Sequence, residues 1–104
     1  MLRIYGEILA VIPQTVPVFA AIEQRDVDLA RQGRRAMTSV PLNVSEGSTS
    51  RGRNRAARYH TAAGSAREVI SVVETAVAMG YIGPIDAVLM DRWFKIGATL
   101  FRNT

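Results

Sequence analysis

Apolar positions along this chain recur at alternating steps of four and three, the spacing of a helix that buries one stripe. The first series is Ile4, Ile8, Val11, Thr15, Val18 and Ile22, which predicts a helix from about residue 2 to 22. Pro13 and Pro17 lie inside it. Each removes a main-chain hydrogen bond, so the sequence allows either one bent helix or a short helix followed by a broken second half. Glu23 to Asp28 is a charged break, where Asp26 or Asp28 is placed to cap a second helix. In that helix Leu29, Gly33, Ala36, Val40, Asn43 and Gly47 continue the rhythm, with Arg31, Arg34, Thr38 and Ser45 largely on the other side. Pro41 takes the donor away from the Met37 carbonyl, which predicts a bend.

Gly47-Ser48-Thr49-Ser50-Arg51-Gly52 is the clearest turn, with Gly47 expected to stop the second helix. A third helix is predicted from about Arg53 to Met79. Ala63, Ala66, Ile70, Val73 and Val77 form one seam on it, and Ala62, Val69, Val72, Ala76 and Met79 a second, adjacent one. Together they make an apolar face wider than one partner helix needs. Gly80-Tyr81-Ile82-Gly83-Pro84 closes that helix, and Pro84 or Ile85 opens a fourth, carrying Val88, Leu89, Trp93, Ile96, Leu100 and Phe101. No window alternates as a strand would. The predicted fold is all-α, an antiparallel up-down four-helix bundle over a single domain, residues 1–104.

At this length folding hides roughly 60–65% of the unfolded surface, enough for a modest core. The absence of cysteine rules out a disulfide framework, a thiol nucleophile and a thiolate metal site. No apolar run approaches the ~20 residues that cross a bilayer. Glu7 interrupts the apolar start and Pro13 ends it, so neither a signal peptide nor a membrane partner is expected, and the expected location is cytoplasmic.

Charge changes the picture through its placement. The net charge is only +4, but Arg31, Arg34, Arg35, Arg51, Arg53, Arg55, Arg58 and Arg67 face a single acid, Glu46, in the intervening sequence. Arginine supplies a planar, weakly hydrated fork suited to carboxylate and phosphate. The Arg51-Gly52-Arg53-Asn54-Arg55 cluster, extended by Arg58-Tyr59, is the main functional candidate. It sits at a helix start, where main-chain N–H groups attract anions and the helix dipole disfavours cations. These arginines therefore do not serve helix three.

Glu46 lies in the last turn of helix two, where the dipole disfavours a carboxylate. A cationic partner is expected, Arg55 or Arg58 on helix three or Arg35 of a neighbouring subunit. Asn43, one turn from Pro41, is expected on the seam, satisfying carbonyls that the proline frees or setting register. Gly33 and Gly64 read as sites of close helix approach. His60 has no ligand partner at helical spacing and reads as a surface or interface residue. The Trp93-Phe94 pair reads as core or interface. No nucleophile–base–acid set, metal site or cofactor site can be assembled, so no enzyme is expected.

One segment carries more information than amphipathic spacing requires. Gln32, Arg34, Arg35, Ala36, Ser39, Val40, Pro41, Asn43, Val44, Glu46 and Gly47 are followed by a basic serine/glycine turn, by Ala63, Gly64, Ser65 and Glu68, and by a Gly80-Tyr81-Ile82 stop. This arrangement resembles the bacterial four-helix-bundle proteins encoded within ribosomal RNA intervening sequences. The resemblance implies an antiparallel bundle that assembles into rings, often of five subunits. It implies a structural role for Pro41, Asn43, Glu46 and Gly47. A similar bundle is the accessory variability determinant of diversity-generating retroelements, which binds nucleic acid beside a reverse transcriptase. By analogy of fold alone, a reverse transcriptase is a candidate protein partner. The expectation is thus a homo-oligomeric, non-enzymatic bundle that holds RNA or DNA. Arg51, Arg53, Arg55 and Arg58 would meet the backbone, and Arg34 and Arg35 would either join them or bridge subunits. The alternative is a ring-shaped scaffold for a protein partner without nucleic-acid binding.

Overall fold

The computed structural model describes residues 2–104, and Met1, the first residue of the expected domain, lies outside them. It contains four helices, α1 (Leu2–Glu23), α2 (Val27–Ser48), α3 (Gly52–Ala78) and α4 (Ala87–Arg102), with no strand among the described residues. Each helix packs on its neighbours in chain order, and α4 closes back on α1. Pairings between helices run in opposite directions. Ser39 meets Ser65 while Asn43 meets Arg58, and Ala66 lies by Gly97 while His60 lies by Phe101. The 43 Å long axis is close to the length of α3, about 40 Å at ~1.5 Å per residue. The helices therefore run along the rod.

Of the two alternatives for α1, the structure shows one continuous helix through Pro13 and Pro17. Both prolines are exposed, on the face opposite the core. The Leu9 and Pro13 carbonyls that lose their helical donors there lie on the water side, where curvature is tolerated. The buried stripe differs from the expected one at a single position. Phe19 is fully buried in place of Val18, which is half-buried beside it. By length and composition α1 also differs from the sequence expectation about membranes. Arg3–Glu23, with a mean hydropathy of 1.4, is long and apolar enough to cross one, although 28% of that stretch is buried within the bundle.

Asp26, not Asp28, caps α2, its carboxylate accepting from the Leu29 N–H at 2.9 Å. The buried seam of α2 is Ala30, Gly33, Met37, Val40, Val44 and Gly47, joined by Ala36 and Pro41. Leu29 and Asn43 are only half-buried. Gly33, Ala36, Val40 and Gly47 are thus buried as expected, and the seam shifts by one residue at two positions, with Ala30 in place of Leu29 and Val44 in place of Asn43. Gly47 is not the helix stop. It lies inside the helix with ordinary φ, and a Cβ there would stand 2.6 Å from the Tyr59 ring, so it lets α3 approach. The end of α2 is made by hydroxyls: Ser48 donates to the Ser45 carbonyl, and Thr49 and Ser50 donate to that of Glu46.

Helix α3 buries both predicted seams only in part. Ala62, Ala63, Ala66, Val69, Val72, Val73 and Ala76 are buried, whereas Ile70 and Val77 are half-buried and Met79 is exposed. At its end Gly80, with φ +76°, donates to the Val77 carbonyl and Tyr81 to that of Ala76. These are the paired bonds of a Schellman stop, and they require the left-handed backbone that glycine adopts without strain. The fourth helix starts later than expected, at Ala87. Asp86 accepts from the Val88 N–H at 2.9 Å, while Pro84 and Ile85 belong to the connection. Leu89, Trp93, Ile96 and Leu100 are buried, whereas Val88 and Phe101, expected on the seam, are exposed.

Candidate nucleic-acid interface

The motif residues of α2 and α3 form one polar ladder between the helices. Ser65 Oγ donates to Ser39 Oγ at 2.8 Å, and Asn43 Nδ2 donates to the same hydroxyl at 3.0 Å. The amide also donates to the Ser39 carbonyl at 2.9 Å, and its oxygen accepts from Arg58 Nη1 at 3.3 Å. Asn43 therefore serves Ser39, four residues back, and not the Met37 carbonyl that Pro41 leaves without its donor. The ladder fixes the register of α2 against α3, and with it the position of the turn between them. Ser39→Ala deletes the shared acceptor and leaves the half-buried Ser65 hydroxyl unpaired, while Asn43 keeps its bond to the residue 39 main-chain carbonyl. It is expected to cost about 1–2 kcal/mol, read by chemical denaturation, whereas Ser39→Thr retains most of that stability.

At the top of this ladder the chain turns through residues 49–51 into α3. The N-cap position is Arg51, whose side chain does not cap, so the first N–H groups of a 27-residue helix point outward without a side-chain acceptor. Gly52 adopts φ +56°, which orders the turn as no β-branched residue would. Arg55 Nε donates to the Gly47 carbonyl at 3.2 Å and to that of Ser50 at 3.0 Å. A cation thereby sits at the negative end of α2. Arg58 is tied to Asn43. Arg51 and Arg53 are exposed and form no ion pair among the described residues.

The expected pairing of Glu46 with Arg55 or Arg58 is not present in the chain, because those guanidinium groups take the α2 carbonyls and the Asn43 amide instead. Glu46 is exposed. The structure brings Arg51, Arg53, Arg55 and Arg58 to one end of the bundle and does not bring Arg34 or Arg35 there. Those two lie in the first half of α2, about 20 Å from its end at ~1.5 Å per residue. Arg34 pairs with Glu23 of α1, and Arg35 is exposed.

The remaining candidates divide cleanly. Gly33 is a close approach, with the Phe19 ring 2.3 Å from where a Cβ would stand, whereas a Cβ at Gly64 would meet no other part of the fold within 4 Å, and Gly64 is exposed. Close approach within the chain therefore holds for Gly33 and fails for Gly64. His60 is exposed on α3 with its ring 6.4 Å from that of Phe101. No group of acids and histidine is placed to hold a metal among the described residues. Sequence reasoning missed the guanidinium of Arg25, 5.8 Å over the Tyr81 ring, which ties the first turn to the third. It also missed the Ser39–Ser65 bond, although both serines stood in the motif.

A polar ladder that sets helix register and an arginine-rich turn at one end are thus carried on a small all-α four-helix bundle. Residues 7–98 match the family described as 23S rRNA-intervening sequence protein, and the chain belongs to that family. The description names an RNA context and no reaction. No curated protein and no solved structure matches the chain.

Proposed function

We propose that the protein is a non-enzymatic, ring-forming bundle that holds nucleic acid, RNA or DNA, by its backbone through the α2–α3 turn. The observation that carries the reading is the pair Arg51 and Arg53. Both are exposed, neither has an acidic partner among the described residues, and they flank the uncapped start of α3. Phosphate satisfies all three features together: it accepts from arginine forks, it accepts from helix-start N–H groups, and its charge suits the dipole. Arg55 and Arg58 hold the turn in place from below and add their charge to it. Contacts of this kind read charge and shape, so sequence preference is weak. In a ring each subunit contributes one such turn, and individually weak contacts gain avidity.

The test is the salt dependence of binding to a short single-stranded RNA and to a duplex, followed by fluorescence anisotropy. Each phosphate contact contributes roughly 0.7–0.9 to the slope of log K against log salt, so Arg51→Ala/Arg53→Ala is expected to lower the slope by about 1.4–1.8 and to weaken binding at low salt. Neither residue makes a bond that the fold needs, so circular dichroism should be unchanged. Equal affinity of parent and variant would refute the assignment. Ribonuclease treatment of a native pull-down separates the rival scaffold reading, since a directly bound protein partner survives it.

A further inference from the structure

Two apolar faces of the chain are left uncovered, and they differ in shape. The first is a groove between α3 and α4. Gly64 and Gly97 leave it without side chains at two points, exposed Phe94 and Phe101 form one wall, and His60 and Arg67 stand in its lining. This part encloses about 400 Å³. It shares Ile70 and Phe94 with a second hollow of about 630 Å³ that continues between the same helices as far as Val77 and Pro84. From His60 to Val77 the combined trough is about 26 Å long at ~1.5 Å per residue. Its length and open side suit a helix rather than a compact small molecule.

The second face is the outer side of α1. From Ile8 to Ile22 the sequence has no charged residue, although only one side of that stretch is buried. Leu9, Pro13, Val16, Pro17 and Ala20 are exposed and recur at steps of three and four, opposite the buried stripe. An outer helix face in water ordinarily carries charge; this one carries small and apolar groups for about 22 Å, close to the length of the trough. Prolines on the outer side make it the convex side of any curvature. They also leave the Leu9 and Pro13 carbonyls without helical donors. Opposite them the trough offers Arg67 and His60, which make no ion pair among the described residues.

We infer that the trough between α3 and α4 seats the outer face of α1 from a second copy of this chain. The inference rests on the ring-forming part of the proposed function and specifies how the ring is built. Within one bundle α1 stands diagonally across from α3, so its outer face looks away from the trough. The contact is therefore heterologous, head to tail, and an open chain of subunits keeps one unfilled face at each end until the circle closes. The extra apolar width of α3 is used here, in company with α4.

The experiment uses two surface variants, Val16→Glu on α1 and Phe94→Glu in the trough. Both side chains are about half exposed, 48% and 56%, so each variant should keep the parent's circular dichroism. Light scattering of the parent is expected to give a closed oligomer. Each variant alone is expected to stay monomeric at concentrations about tenfold or more above those at which the parent assembles. Mixed in equal amounts, the two should form a heterodimer and nothing larger, because one contributes a sound trough and the other a sound α1. A mixture that stays monomeric, or a variant that assembles like the parent, overturns the pairing while leaving the ring intact. A monomeric parent overturns both, and recruitment of that monomer to lipid vesicles would assign the α1 face to a membrane instead.

Discussion

Trp93→Ala is expected to remove about 3–5 kcal/mol of stability, the range for emptying a buried aromatic site. Trp93 is fully buried, and its indole Nε1 donates to Thr15 Oγ1 at 2.9 Å. The threonine hydroxyl in turn donates a hydrogen bond to the Val11 carbonyl at 2.8 Å. The substitution therefore opens a cavity and ends a buried side-chain bond between α1 and α4. A domain of this size holds about 5–15 kcal/mol in total, so the melting temperature should fall by about 15 °C or more. Trp93 is the only tryptophan, so unfolding has to be followed by circular dichroism. Thr15→Val separates the two contributions. It keeps the volume but strands the indole N–H, at about 1–3 kcal/mol, and Thr15→Ser restores most of that. A loss below about 1 kcal/mol for Trp93→Ala would mean that α4 is not anchored here.

The helices themselves were legible because the four-three spacing was sustained over each of them. Their faces were less so. In α1, Val18 and Phe19 are adjacent and both apolar, and spacing alone does not say which faces inward; what decides is the gap left by Gly33 on α2, which only a flat ring fills. In α2, Asn43 matched the rhythm but sits at the edge, because its amide has partners on Ser39 and Arg58 that a central position would deny it. Gly47 read as a stop because glycine commonly ends helices, yet its missing side chain faces Tyr59. The arginine-rich turn was visible as composition. Which of its members are spent on the fold was not, since Arg55 reaches carbonyls that become acceptors only once α2 has ended. Nor was the start of α4, where Asp86 outcompetes Pro84 because its carboxylate can cap and a proline can only begin.

Gly33 gives the sharpest test of how the bundle is packed. A methyl group at this position would stand 2.3, 2.8 and 2.9 Å from three carbons of the Phe19 ring. The ring is fully buried, so it cannot swing into solvent, and α1 and α2 must part to accommodate the change. Gly33→Ala raises intrinsic helix propensity by about 1 kcal/mol, and overpacking of a tight core opposes this by about 1–3 kcal/mol. With contact this short the steric cost is expected to win, for a net loss of about 1–2 kcal/mol in denaturant unfolding. Gly64→Ala is the control. It lies mid-helix on α3 with open space around it, so it gains the propensity without the clash and should stabilise the monomeric fold by about 0.5–1 kcal/mol. Trimming the ring tests the cause directly. In a Phe19→Leu background, Gly33→Ala should lose most of its penalty, giving a coupling energy of about 1 kcal/mol or more between two residues in contact. If Gly33→Ala instead stabilises as Gly64→Ala does, α1 and α2 do not meet at the distance that fixes Phe19, rather than Val18, as the residue facing the core.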